Sequence, residues 1–113
     1  MGRIVGIGGV FFKAADPAVL AEWYQTHLGI DDLHKSVWRQ EAGMTVFGPF
    51  SQSTDYFGRA EQQWMINFRV DDLDGLIEDL KSRGIAVEIR DEWNSEVGRF
   101  ARIHDPEDNP IEL

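Results

Sequence analysis

The sequence predicts an α+β fold made of two tandem βαβββ modules, and three observations carry that reading. The chain repeats itself: Phe12, Asp16, Leu20 and Glu22 recur 56 residues later as Phe68, Asp72, Leu76 and Glu78. After a one-residue gap, Gly29-Ile30 recurs as Gly84-Ile85. Each copy runs in the same order, from a strand pattern through a capped helix and a glycine stop to further strand patterns. A polar stretch over residues 49–63, carrying Gly, Ser and Asp, separates the copies and reads as a linker or mobile loop. A period this long marks a repeated supersecondary unit, with modules near residues 1–58 and 59–113 in a single domain.

Residues 4–14 are rich in β-branched and aromatic side chains and predict a first strand. Asp16-Pro17 predicts a helix start, because the carboxylate can accept from free backbone N–H groups and proline is pre-set for the first helical position. Leu20, Trp23, Tyr24, His27 and Leu28 fall on one helical face, and Gly29 stops the helix. In the second copy Asp71 or Asp72 caps, Leu73, Leu76, Ile77 and Leu80 form the apolar stripe, and Gly84 ends it. Further strands are expected over 33–41, 44–48, 85–92, 97–104 and 110–113, with tight turns at Glu41-Ala42-Gly43 and at Asp105-Pro106-Glu107-Asp108-Asn109. Two such units make eight strands and two helices.

Composition narrows the function classes. The 113 residues suit one compact domain, and 42% apolar residues can fill a core. No apolar run approaches the roughly 18 residues of a membrane span, and the N-terminus lacks a signal-peptide pattern. The absence of cysteine removes disulfides, thiolate metal sites and cysteine nucleophiles together, and fits a cytoplasmic protein. A net charge of −9 without a basic face argues against nucleic-acid partners and favours cationic or neutral ligands. No serine lies in a Gly-x-Ser-x-Gly elbow. Gly6-Ile7-Gly8-Gly9 lies inside the first expected strand, so it is not a phosphate loop.

Certain segments also match a known family. "GIGGVFFKAADPAVLAEWYQTHLGI", "FRVDDLDGLIEDLKSRGI" and "RIHDPEDNPIEL" resemble, respectively, the opening unit, the strand–helix unit and the closing hairpin of the vicinal oxygen chelate superfamily. That superfamily comprises the glyoxalase, bleomycin-resistance and extradiol-dioxygenase proteins. The resemblance implies a curved mixed sheet around a cleft. In family enzymes it also implies a divalent metal held by His, Gln or Glu from the first and last strands of each half. Carried over, those positions fall on Gly9, on Met65, on a strand end offering Thr45, and on Glu112. Only Glu112 is a suitable ligand, since glycine has no side chain and a thioether is too soft for a hard ion. The resemblance therefore implies no metal cofactor here, with a divalent metal as the alternative.

The candidate site is mostly aromatic. Strand alternation puts Gly9 and Phe11 on one face of the first strand and Phe12 on the other, so that Phe12 and Phe68 pack on the helices while Phe11, Met65 and Asn67 face the cleft. Trp38, Phe47, Phe50, Trp64, Trp93 and Phe100 are expected to line or cover it, with Asn67, Arg69, Arg102 and Glu112 as its placed polar groups. Arg102 and Glu112 also face each other across the last hairpin, where an ion pair would account for both. His27 sits where the helix dipole favours a cation, His34 in a polar edge segment. His104, beside Asp105, is open to two readings: an oriented acid or base, or a turn cap. The expectation is metal-independent binding of a small cationic or aromatic molecule by a homodimer. The alternative is a metal-dependent lyase, isomerase or dioxygenase with atypical ligands including Glu112.

Overall fold

A computed structural model describes residues 2–32, 35–96 and 98–113. Helix α1 spans Pro17–Leu28, β1 Ile66–Asn67, α2 Leu73–Ser82, β2 Glu88–Ile89, β3 Ala101–His104 and β4 Pro110–Glu112, with a 3₁₀ turn at Asp91–Trp93. The four strands form one sheet in the order β1-β4-β3-β2. β1 runs parallel to β4, and the β2–β3 and β3–β4 pairs are antiparallel.

Both helices start as their sequences dictate. Asp16 Oδ1 accepts from Val19 N at 3.2 Å with Pro17 in the first turn, and Asp72 Oδ1 accepts from Gly75 N at 3.0 Å. The repeated aspartates thus satisfy backbone donors that a helix N-terminus leaves free. Gly29 ends α1 at φ 69°, a left-handed conformation that costs glycine nothing. α2 stops at Ser82, and Gly84 follows at φ 80°.

One face of the sheet carries the core. Ile103 and Ile111, paired across the hairpin, are fully buried with Leu80 of α2, and Leu20 and Tyr24 of α1 join them. Burying a side chain of this size stabilises by roughly 1.5–3 kcal/mol. Phe12 and Phe68 flank Tyr24 at ring-centroid distances of 6.4 and 6.5 Å, so the repeated phenylalanines do pack on a helix.

The turn between β3 and β4 fastens α1 to the sheet. Asp105 Oδ1 accepts from Glu107 N and Asn109 N, and Oδ2 accepts from Tyr24 Oη at 2.7 Å in the interior. The Glu107 carboxylate accepts from Ala15 N at 2.6 Å and Asp16 N at 3.0 Å, just before α1 begins. Asp105, not His104, caps this turn; His104 is exposed at the end of β3.

The first half departs from expectation. Of the eight strands expected, four form among the described residues, all in the second half, which alone shows the βαβββ order. Residues 4–14, 35–41 and 44–48 form no strand, and no turn forms at 41–43. Leu33, His34 and Val97, on which other expectations fell, lie outside the described residues. The difference has a physical reason. A strand needs a partner for its backbone N–H and C=O groups, and the second half supplies one by folding back at Asp105–Asn109. Among its described residues the first half shows no carboxylate-clamped turn of that kind, and its segments lie in solvent: Ile4, Phe11, Met44, Val46 and Phe47 are all at least 87% exposed. Residues 49–63, read as a linker, make three turns closed by Thr54 N→Ser51 O, Gly58 N→Asp55 O and Gln62 N→Arg59 O.

Candidate functional site

The sheet face opposite the helices carries a polar row. Register fixes it: Glu88 pairs with Arg102, Arg102 with Glu112, and Glu112 with Asn67, so one side chain from each strand stands in line. Alternation along the strands forces this, because Ile103 and Ile111 must face the core, which turns Arg102 and Glu112 the other way.

At the centre is the Glu112 carboxylate. Its Oε1 accepts from Asn67 Nδ2 at 2.9 Å and its Oε2 from Tyr56 Oη at 2.6 Å. Burial, then the hydrogen bond to Glu112 and the charge of Glu112, push the Tyr56 phenol up to about 12, against the opposing influence of Arg102. The phenol is therefore a neutral donor across the physiological range.

Arg102 stands beside this carboxylate but does not pair with it, and the expected cross-strand ion pair is not formed. Both carboxylate oxygens are engaged by Asn67 and Tyr56, while the guanidinium lies 4.7 Å from the Tyr56 ring centroid and 5.0 Å from that of Trp93. Its Nη2 donates to the Met65 sulfur at 3.4 Å. Arg102 is 8% exposed, and its buried Nε has no hydrogen-bond partner among the described residues. Arg102 is thus a desolvated cation held mainly by two aromatic faces. Arg90 approaches the same Trp93 ring, at 5.2 Å.

The sequence-selected residues divide into groups. Asn67, Trp93, Arg102 and Glu112 stand together on the open face. Phe50 adjoins them through Tyr56, its ring stacked 5.7 Å away. Trp64 packs on Phe12 and Trp38 on Phe68, away from the polar row. Phe11 and Phe47 lie in solvent. Phe100 lines a groove of about 500 Å³ beyond the end of β4, with Asn67, Leu73, Arg99 and Leu113 among its other walls. Arg99 and Asp74 pair at 2.6 Å beside it, and that bond holds the Asp74 carboxyl below its usual range. Tyr56 was not among the expected site residues, because a polar linker gives no signal of where its one tyrosine will land.

A divalent metal, the alternative reading, finds a poor donor set. Glu112 already shares both oxygens with hydrogen-bond donors, a buried guanidinium stands next to it, and the Met65 sulfur accepts from that guanidinium. A hard divalent ion needs several oxygen or nitrogen ligands, and among the described residues no three of His, Asp and Glu are grouped to supply them. These residues do not fit a divalent metal.

No helix of the described residues is long and apolar enough to cross a membrane. No curated protein matches the chain. The model of the glyoxalase-like domain, by contrast, matches residues 9–113, which include both capped helices, the polar row and the closing hairpin, and the chain accordingly belongs to that family, within the vicinal oxygen chelate superfamily.

Proposed function

We infer that the protein binds a small aromatic molecule on the open face of its sheet without a metal. The observation that carries this reading is the buried Arg102 guanidinium, set between the Tyr56 and Trp93 rings and beside a carboxylate bonded to Asn67 and Tyr56. Small-molecule sites combine aromatic walls with a few fixed polar groups, and this cluster has both. A protein with a net charge of −9 favours a neutral or cationic ligand over an anionic one. The mechanism is sequestration: ring stacking on Trp93, with Asn67 and Glu112 fixing orientation.

The binding unit is a homodimer, each copy offering the apolar segments 4–12 and 37–50 to the surface of the other. The support is the apolar side chains that residues 4–12 and 37–50 leave in solvent, among them Ile4, Phe11, Met44, Val46 and Phe47. Closed two-fold pairing is the commonest way to cover such surface.

Calorimetric titration with a panel of planar neutral and cationic aromatics tests the binding reading. At least one is expected to bind, with affinity falling about tenfold or more in Trp93→Ala, as loss of one stacking partner and its buried area implies. Affinities unchanged in both Trp93→Ala and Arg102→Ala would remove the site from consideration.

A further inference from the structure

The Tyr56 side chain reaches the polar row from the linker. It comes from residues 49–63, outside the sheet and both helices, and is held there by three short turns. Its hydroxyl donates to Glu112 Oε2 at 2.6 Å, its ring faces the Arg102 guanidinium at 4.7 Å, and Phe50 stacks on it at 5.7 Å with an interplanar angle of 20°. Every contact the site makes with it is thus a contact to a phenol. The groups beneath are fixed independently of it. Glu112 and Arg102 belong to β4 and β3, and Asn67 of β1 holds the other carboxylate oxygen at 2.9 Å. Arg102 is more than nine-tenths buried, its Nε has no hydrogen-bond partner among the described residues, and its Nη2 donates to a sulfur. Take the Tyr56 ring away and a desolvated cation and a carboxylate lose a face and a donor together, a costly arrangement that favours replacement by a similar group.

We propose that Glu112, Arg102 and Asn67 form a subsite for phenolic ligands, and that Tyr56 occupies it as a tethered competitor until such a ligand displaces it. The inference rests on the binding reading above and narrows its ligand class. A phenol donates its hydroxyl hydrogen to Glu112, lays its ring on Arg102 and approaches Trp93, whose own ring lies 5.0 Å from the same guanidinium. A neutral phenol is also compatible with the acidic chain, whereas an arene carboxylate would place a second anion beside Glu112. Because Tyr56 is tethered, its local concentration is high, on the order of millimolar for a short flexible link. External phenols therefore bind the intact protein weakly and bind it better once the tether's ring is removed.

The test uses 4-fluorophenol, with fluorobenzene as the analogue lacking the hydroxyl, titrated into the full chain and followed by fluorine NMR. Tyr56→Ala is expected to bind 4-fluorophenol at least tenfold more tightly than the unaltered protein. Tyr56→Phe, which keeps the ring but loses the bond to Glu112, is expected to fall between the two and serves if the alanine variant folds poorly. Adding Glu112→Gln to Tyr56→Ala should remove most of the preference for 4-fluorophenol over fluorobenzene. No gain in either Tyr56 variant, or equal affinity for the two probes, overturns the proposal. If fluorobenzene still binds in a Trp93-dependent way, the broader aromatic-binding reading survives that failure. If neither probe nor any other aromatic binds, both fall.

Discussion

Two tyrosine contacts, one buried and one part-buried, show how single residues tie the fold to the site. Tyr24 donates to Asp105 at 2.7 Å inside the core, and burial together with that carboxylate raises its phenol far above the usual tyrosine range. Asp105 also accepts from the backbone of Glu107 and Asn109. Asp105→Ala therefore strands Tyr24 Oη and opens the turn, and should cost about 3 kcal/mol or more; chemical denaturation measures it. Tyr56 offers a pH test. Its folded value, raised from 10.0 to about 12, exceeds that of an unfolded chain. Its contribution to stability is therefore full below pH 10 and is lost as pH rises through 12. Spectrophotometric titration should find neither of the two tyrosines ionising near the ordinary value while the chain is folded. In Glu112→Gln the Tyr56 midpoint should fall, because the charge of Glu112 no longer raises it, though burial keeps it above the ordinary value. A Tyr56 midpoint unchanged by Glu112→Gln would mean the two groups do not meet in solution.

At the scale of elements, the helices were legible and the strands only partly so. Asp16-Pro17, Asp72, Gly29 and the apolar stripes act through neighbours a few residues away, and such local signals survive in a bare sequence. Asp72→Ala should cost about 1 kcal/mol by removing the acceptor for Gly75 N. Gly29→Ala should cost about 1–2 kcal/mol, because the alanine Cβ disfavours φ 69°. Thermal or urea unfolding checks both, and a loss near zero at Gly29 would show that α1 can end differently. Strand patterns carry no information about whether a partner exists. Residues 4–14 are rich in β-branched and aromatic side chains, yet among the described residues only the second half has a clamped hairpin to pair with. Pairing at long range likewise decided the site. The Arg102–Glu112 register followed from the turn at Glu107, but the guanidinium's preference for two ring faces depended on Tyr56 and Trp93, whose positions no local pattern encodes.

The molecule as a whole combines one completed βαβββ sheet, two helices on its inner face, a polar row on its outer face, and a first half whose apolar segments remain uncovered. A second copy of the chain is the partner proposed for those segments, and an aromatic ligand, not a metal ion, is the occupant proposed for the outer face. Both assignments meet in one experiment, native mass spectrometry of protein purified without chelators. A dimer is expected whose mass includes no stoichiometric metal, with any retained small molecule released as an organic species. About one metal ion per chain, lost in Glu112→Ala, would contradict this expectation.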